Sequence, residues 1–164
     1  MKRIGIISDT HGTFDEPLKA FLAEVDEIWC AGDVGSQHVI DQVATMGKPL
    51  YAVYGNIDDY TMRAQLPEWQ SFEREGVKVL ITHIGMRGGR YMPSVAQKIA
   101  TLKPDIFICG HSHILRVYYD KRLGILNINP GAAGAYGFHS VRTAIRLTLA
   151  NGKPTDLEVW ERQR

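Results

Sequence analysis

Short apolar runs alternate with amphipathic stretches over the first two thirds of the chain. Ile4–Ser8, Glu27–Ala31, Leu50–Tyr54, Val77–Thr82 and Asp105–Cys109 are brief and mostly apolar, which predicts strands covered on both faces. Between the first three, Pro17–Glu24 (PLKAFLAE) and Gln37–Met46 (QHVIDQVATM) space apolar residues by three and four, the pattern of helices with one buried face. Ser94–Leu102 predicts a third helix, opening behind Pro93 and stopped before Pro104. From Arg116 onward the period changes. VYYD, GILNI, RTAIRLTLA and LEVW read as strands joined by turns at Lys121–Gly124, Gly131–Gly137 and Asn151–Pro154. A βαβαβ opening with a strand-rich finish predicts an α/β fold of two packed sheets with helices outside.

The length of 164 residues fits a single domain, residues 1–164, large enough to bury a core without staples. Apolar content of 45% and charged content of 23% are ordinary for a globular chain. A formal charge of +1 leaves no overall field for nucleic acid or an anionic membrane, so an anionic substrate must be held locally. MKRIGIISD is interrupted by Asp9 too early for a signal-peptide core, and no run reaches membrane-spanning length. Cys30 and Cys109 sit in apolar runs as buried thiols, which suits a cytoplasmic location.

The strand ends change the picture. The first predicted strand runs into Asp9-Thr10-His11, the second into Gly32-Asp33 and the third into Gly55-Asn56-Ile57-Asp58. The fourth meets His83, and the fifth Gly110-His111-Ser112-His113. Ligands bind at the carboxyl ends of strands in open α/β sheets. If these ends are neighbours, Asp9, His11, Asp33, Asn56, His83, His111 and His113 converge. Two carboxylates, one amide and four imidazoles exceed the needs of one ion and suit two ions bridged by a carboxylate. Oxygen and nitrogen donors without thiolate favour manganese, iron, zinc or nickel over magnesium or calcium. A lone histidine after a strand is ordinarily a hydrogen-bonded surface or core residue. Here four of the six histidines fall at strand ends, and clustering them without a cation would cost several kcal/mol in desolvation.

In order and interval these five segments resemble the calcineurin-like metallophosphoesterases, and the likeness runs from Ile4 to about Leu149. Compact size and the Asn129-Pro130-Gly131 turn resemble its small bacterial and archaeal phosphodiesterase branch. The resemblance implies a four-layer α/β/β/α sandwich of two mixed sheets with flanking helices. It implies that Asp9, His11 and His113 hold one metal, that Asn56, His83 and His111 hold the other, and that Asp33 bridges them. The cofactors are then two divalent transition-metal ions, manganese first, with iron, zinc or nickel also suited. Ile57 departs from the pattern, standing where many relatives carry a histidine that protonates the leaving group. General acid catalysis contributes about 10²–10⁴-fold, so the departure bears most on substrates with poor leaving groups. Asp58 loses the partner it would orient, and Asp58 or Asp59 is free to cap a short helix over Tyr60–Gln65.

The reaction so implied is hydrolysis of phosphodiester bonds, with phosphomonoesters as the second substrate class, by a hydroxide held between two ions about 3.5–4 Å apart. The partner is a small phosphate-ester substrate, without a membrane and without nucleic acid, because the chain is near neutral and has no basic aromatic strip. Asn56, Asp58 and His139 are the catalytic candidates, His139 as a replacement acid if its loop folds over the metals. Arg87 and Arg90, in MRGGRY, and Asn129 are the substrate-binding candidates, with solvated loop arginines as the plainer alternative for the first two. His38 falls in a helical pattern and is expected at the surface. The rival reading from another class is a scaffold like the retromer subunit of this fold, working through its surfaces with little or no catalysis.

Overall fold

The computed structural model describes all of residues 1–164. The first sheet contains β1 (Lys2–Ile7), β2 (Glu27–Cys30), β3 (Leu50–Ala52), β11 (Val141–Ala150) and β12 (Lys153–Gln163), in the order β12-β11-β1-β2-β3. β1, β2 and β3 are parallel; β11 runs against β1 and β12 against β11. The second sheet contains β4 (Trp69–Arg74), β5 (Val77–Thr82), β8 (Ile106–Ile108), β9 (Leu115–Asp120) and β10 (Ile125–Pro130), in the order β4-β5-β8-β10-β9. β5, β8 and β10 are parallel and the two edges antiparallel. A hairpin of β6 (Met86–Arg87) and β7 (Arg90–Tyr91) stands apart. The helices are α1 (Glu16–Leu22), α2 (Gln37–Thr45), α3 (Tyr60–Gln65) and α4 (Pro93–Leu102).

Three apolar clusters define four layers. Ile4, Ile6, Val79, Ile81, Ile106, Ile108, Ile145 and Leu147 meet between the sheets. Leu18 and Leu22 of α1, with Val39 and Val43 of α2, pack on the outer face of the first sheet through Ile7, Ile28 and Cys30. Val95 and Ile99 of α4 cover the second sheet through Leu80 and Phe107. Burying each large aliphatic side chain contributes about 1.5–3 kcal/mol, so these interfaces hold the sandwich together. This is the α/β/β/α arrangement expected from the sequence.

Most predicted elements shift by at most two residues at their ends, and α1 begins at Glu16 with its partner Pro17 in the first turn. The last strand is longer than LEVW, adding four residues before it and three after, so that Lys153 and Pro154 belong to β12 and not to the turn. Two features were not legible. β4 turns Gln70, Phe72 and Arg74 toward the first sheet. Gln70 donates to the carbonyl of Ala52 (3.1 Å), and the Arg74 guanidinium meets buried Glu27 (2.6 Å). A strand whose inward face carries an amide and a guanidinium shows no apolar alternation. MRGGRY is a hairpin, not an open loop, with Gly88 and Gly89 at positive φ as its turn.

Candidate metal centre

All five ligand-bearing strands are parallel within their sheets, and their carboxyl ends meet at one rim of the sandwich. β1, β2 and β3 deliver Asp9 and His11, Asp33, and Asn56; β5 and β8 deliver His83, and His111 and His113. Backbone hydrogen bonds lock the first loops together: Asp9 donates to Gly32 (2.9 Å) and His11 to Asp33 (3.0 Å). Across the sheets, Gly110 donates to His83 (2.9 Å), and His111 N–H to Asp9 Oδ2 (3.1 Å). That approach needs glycine. A Cβ on Gly110 would lie 2.0 Å from Ser8 Oγ, and one on Gly55 would lie 2.0 Å from Asp33 Oδ1.

Asp9, His11, Asp33, His111 and His113 all have positive φ, between 45° and 72°. That conformation costs an L-residue on the order of 1–3 kcal/mol and gathers where function over-determines the backbone. Asp and His tolerate it better than most residues. The cluster is graded in depth: Asp9, Asp33 and His83 are buried, His11 and His113 half-buried, and Asn56 and His111 exposed.

Each carboxylate divides its labour. Asp9 Oδ2 accepts from the Ser8 hydroxyl (2.6 Å) and the His111 amide, leaving Oδ1 without a hydrogen bond beside His113 Nε2 (3.2 Å) and His11 Nε2 (3.8 Å). Asp33 Oδ1 accepts from the Ile57 amide (3.0 Å), while Oδ2 lies 3.4 Å from His11 Nε2 and 3.3 Å from His83 Nε2. Asn56 Oδ1 sits between His83 Nε2 (3.0 Å) and His111 Nδ1 (2.9 Å). Asp33 thus faces one imidazole from each expected ligand set.

The tautomers follow from the outer partners. His83 Nδ1 lies 2.7 Å from the carbonyl of Ala31, which only accepts, so it carries the proton and neutral His83 has a bare Nε2. His139 Nε2 likewise donates to Gly134 O (2.7 Å), so neutral His139 accepts at Nδ1 from His113 Nδ1 (3.1 Å). His113 Nε2 is then bare as well. Lone pairs of Asp9, Asp33, Asn56, His83 and His113 face one another, together with a buried His11 Nε2 that has no partner. Such a cluster requires positive charge at its middle. Protons on the imidazoles are one source, and the titration reflects them. Burial pulls the Asp9 carboxyl upward, but His11, His113, His83 and Ser8 outweigh it and hold it well below the usual carboxylate range. Asp9 raises the His11 imidazole. Burial lowers His83, and Asp33, Asp9 and the Ala31 carbonyl more than reverse it. Divalent metal is the other source, and the donor set fits it.

Residues beyond the seven serve the loops. Asp58 is buried; its carboxylate accepts from the backbone of Val34 (3.1 Å), Gly35 (2.8 Å) and Gly55 (2.8 Å), tying the Asp33 loop to the Asn56 loop. Asp59 caps α3, accepting from Met62 N–H (2.9 Å). His139 does reach the centre: its Nε2 donates to Gly134 O, its Nδ1 faces His113 Nδ1, and burial lowers its pKa. Asn129 donates to Gly110 O (3.0 Å) and Ser112 Oγ (3.1 Å) and accepts from Gly131 N–H, supporting the loop of His111 and His113. Arg87 and Arg90 lie on the hairpin, exposed. His38 is exposed on α2. Ser8 and Gly134 had no sequence signal, since their contributions are one hydroxyl and one carbonyl placed by the fold.

A family model, the calcineurin-like phosphoesterase superfamily domain, matches residues 1–152. The chain belongs to this superfamily. Among solved structures, this calcineurin-like domain is similar to an archaeal phosphodiesterase at 25% identity and TM-score 0.73, covering 96% of this chain and 99% of that one. A phosphoesterase predicted from Streptococcus pneumoniae matches at 21% identity and TM-score 0.70, over 99% of this chain and 89% of that one. Vps29 of Entamoeba histolytica, complexed with Zn²⁺, shares the fold at 17% identity and TM-score 0.73, over 98% of each chain. No helix is long and apolar enough to cross a membrane.

Proposed function

We propose that this calcineurin-like domain is a metal-dependent phosphodiesterase. The observation that carries the reading is the bare face of the rim: Asp9 Oδ1, Asp33 Oδ2 and the Nε2 atoms of His83 and His113 share one space with no proton to spare among their neutral forms, and a partnerless His11 Nε2 lies among them. Asp9, His11 and His113 would hold one divalent ion, Asn56, His83 and His111 a second, with Asp33 shared. Bound ions supply Lewis acidity toward phosphoryl oxygens and activate water near neutral pH. The chain's own part is to keep the donors in register: Asp58 through the loop amides, Ser8 at Asp9, and His139 at the His113 tautomer. Neither Ile57 nor His139 offers a proton to a leaving group, so esters of acidic alcohols should turn over fastest. The oxygen and nitrogen donors suit manganese first, then iron, zinc or nickel. Two buried, reduced thiols fit the cytoplasm.

The test is metal analysis of purified protein, followed by hydrolysis of bis(4-nitrophenyl) phosphate with added Mn²⁺. Turnover that disappears with chelator and returns with metal supports the reading. A scaffold role is the second reading, supported by the exposed apolar side chains of Ile57, Ile114, Tyr136 and Phe138 in the loops that carry or abut the ligands, and by the shared fold of Vps29. Bound metal without turnover on any phosphate ester favours the scaffold.

A further inference from the structure

The rim opens on its His111 side into a groove. A cavity of about 260 Å³ borders His111 and Ser112 and is walled by Met86, Phe107, Ile114 and Tyr118. Cys109 lines it as a neutral thiol, its pKa pushed up to about 12 by burial. The Ser112 hydroxyl accepts from Ile114 N–H and Asn129 Nδ2, and its own proton has no acceptor, so it is a donor at the mouth. A second hollow of about 430 Å³ shares Met86, Gly89, Arg116 and Tyr118 with the first, so the two form one path away from the metal ligands. This farther part adds Arg90 and Arg122.

Arginines outnumber carboxylates in that path, three to one. Arg90, Arg116 and Arg122 are exposed, and the ion pairs of the molecule use Arg3, Arg74, Arg142 and Arg146 instead. The carboxylate there, Asp120, already accepts from the Tyr91 hydroxyl and from the backbone of Arg122 and Leu123. The Arg116 guanidinium lies 4.3 Å over the Tyr118 ring, which holds that charge on the groove wall. A net charge of +1 conceals this, because it averages a local arginine cluster against acids elsewhere. Three exposed cations along a groove that starts at the phosphoester site call for a second anion on the substrate, and the apolar cavity between calls for a flat group linking the two.

We propose that this groove holds the organic arm of the substrate, and that the preferred phosphodiester carries a nucleoside-like ring followed by a second phosphate. The ring lies against Met86, Ile114 and Tyr118, and the second phosphate meets Arg116, Arg90 and Arg122. This assignment rests on the phosphodiesterase reading and deepens it. Thymidine 5′-(4-nitrophenyl phosphate) and its 3′-phosphorylated counterpart differ only in that second phosphate. With Mn²⁺ at low salt, the 3′-phosphorylated substrate should show a kcat/KM at least about tenfold higher, an advantage that shrinks as salt screens it. The double variant Arg116→Gln/Arg122→Gln, checked for unchanged thermal unfolding, should bring the ratio to within about twofold, and Arg116→Lys should restore part of it. Equal kcat/KM values in the unmodified protein, or a preference that survives the double variant, overturn the assignment. If neither substrate is hydrolysed, the phosphodiesterase reading fails, and calorimetry on the metal-free protein decides the groove. Thymidine 3′,5′-bisphosphate binding more tightly than thymidine 5′-phosphate, with the difference lost in the double variant, supports the groove. Equal affinities overturn it.

Discussion

The inter-sheet core and the ligand rim are built from the same strands and obey opposite rules. Ile4, Ile6, Ile81, Ile108 and Ile145 are fully buried in regular strands, and between the sheets they gain from every contact. One to three residues beyond the ends of β1, β2 and β5, Asp9, Asp33 and His83 are buried almost as deeply, yet acceptor faces acceptor. Five of the seven donors also sit in a left-handed backbone. The core supplies stability that the rim spends on bringing charge-seeking groups together, so the two should respond to mutation in different measurements.

Asp33→Asn should break the rim most. It keeps the shape and the bond from Ile57 while removing the shared anion, so metal-dependent hydrolysis of bis(4-nitrophenyl) phosphate should fall by about 10³-fold, the several kcal/mol a metal-assisted step commands. Thermal unfolding of the metal-free protein should barely move; an equally large loss of stability would erase the distinction. Ile4→Ala is the mirror case, costing about 3 kcal/mol in urea unfolding through lost burial and a cavity, with kcat/KM of the folded protein unchanged. Asp58→Ala probes the seam, since it frees three loop amides without touching a donor. Its metal Kd should rise by about 10–100-fold in a Mn²⁺ titration; an unchanged Kd would leave Asp58 to stability alone.

The smallest effect concerns the bidentate pair of Asp15 with Arg142 (2.8 and 2.9 Å), whose Nε also donates to Ala133, so that it ties the β1–α1 and β10–β11 loops to β11. Arg142 beside Asp15 holds its carboxyl below the usual range, against the pull of burial. The contribution is therefore complete above the ordinary carboxylate pKa and lost as pH falls through the lowered value. Because Asp15 is 40% exposed, solvent screening limits it to under about 1 kcal/mol. Asp15→Asn should lower Tm slightly at pH 7, and the gap should close in acid. A gap that persists at pH 2 would point to packing, not charge.

Much of this was legible before coordinates. The parallel strands announce themselves as apolar runs because helices or the other sheet cover both faces, and the donors stand out because they follow those runs directly. β4 hid because Gln70 and Arg74 face inward, where Ala52 and Glu27 satisfy them. His139 could be placed near the metals, but its role could not be read, since it depends on which atoms face Gly134 and His113. The arginine groove was hidden too. Arg116 and Arg122 lie on or just past β9, and Arg90 on a hairpin some twenty-five residues earlier, so only the fold makes them neighbours.

Counting manganese on the chain tests the central claim most directly. Metal-free protein titrated with Mn²⁺, followed by calorimetry and electron paramagnetic resonance, should take up two ions per chain with the spectrum of a magnetically coupled pair, and Asp33→Asn should abolish the coupling. One ion, none, or two that ignore each other would contradict a centre shared through Asp33.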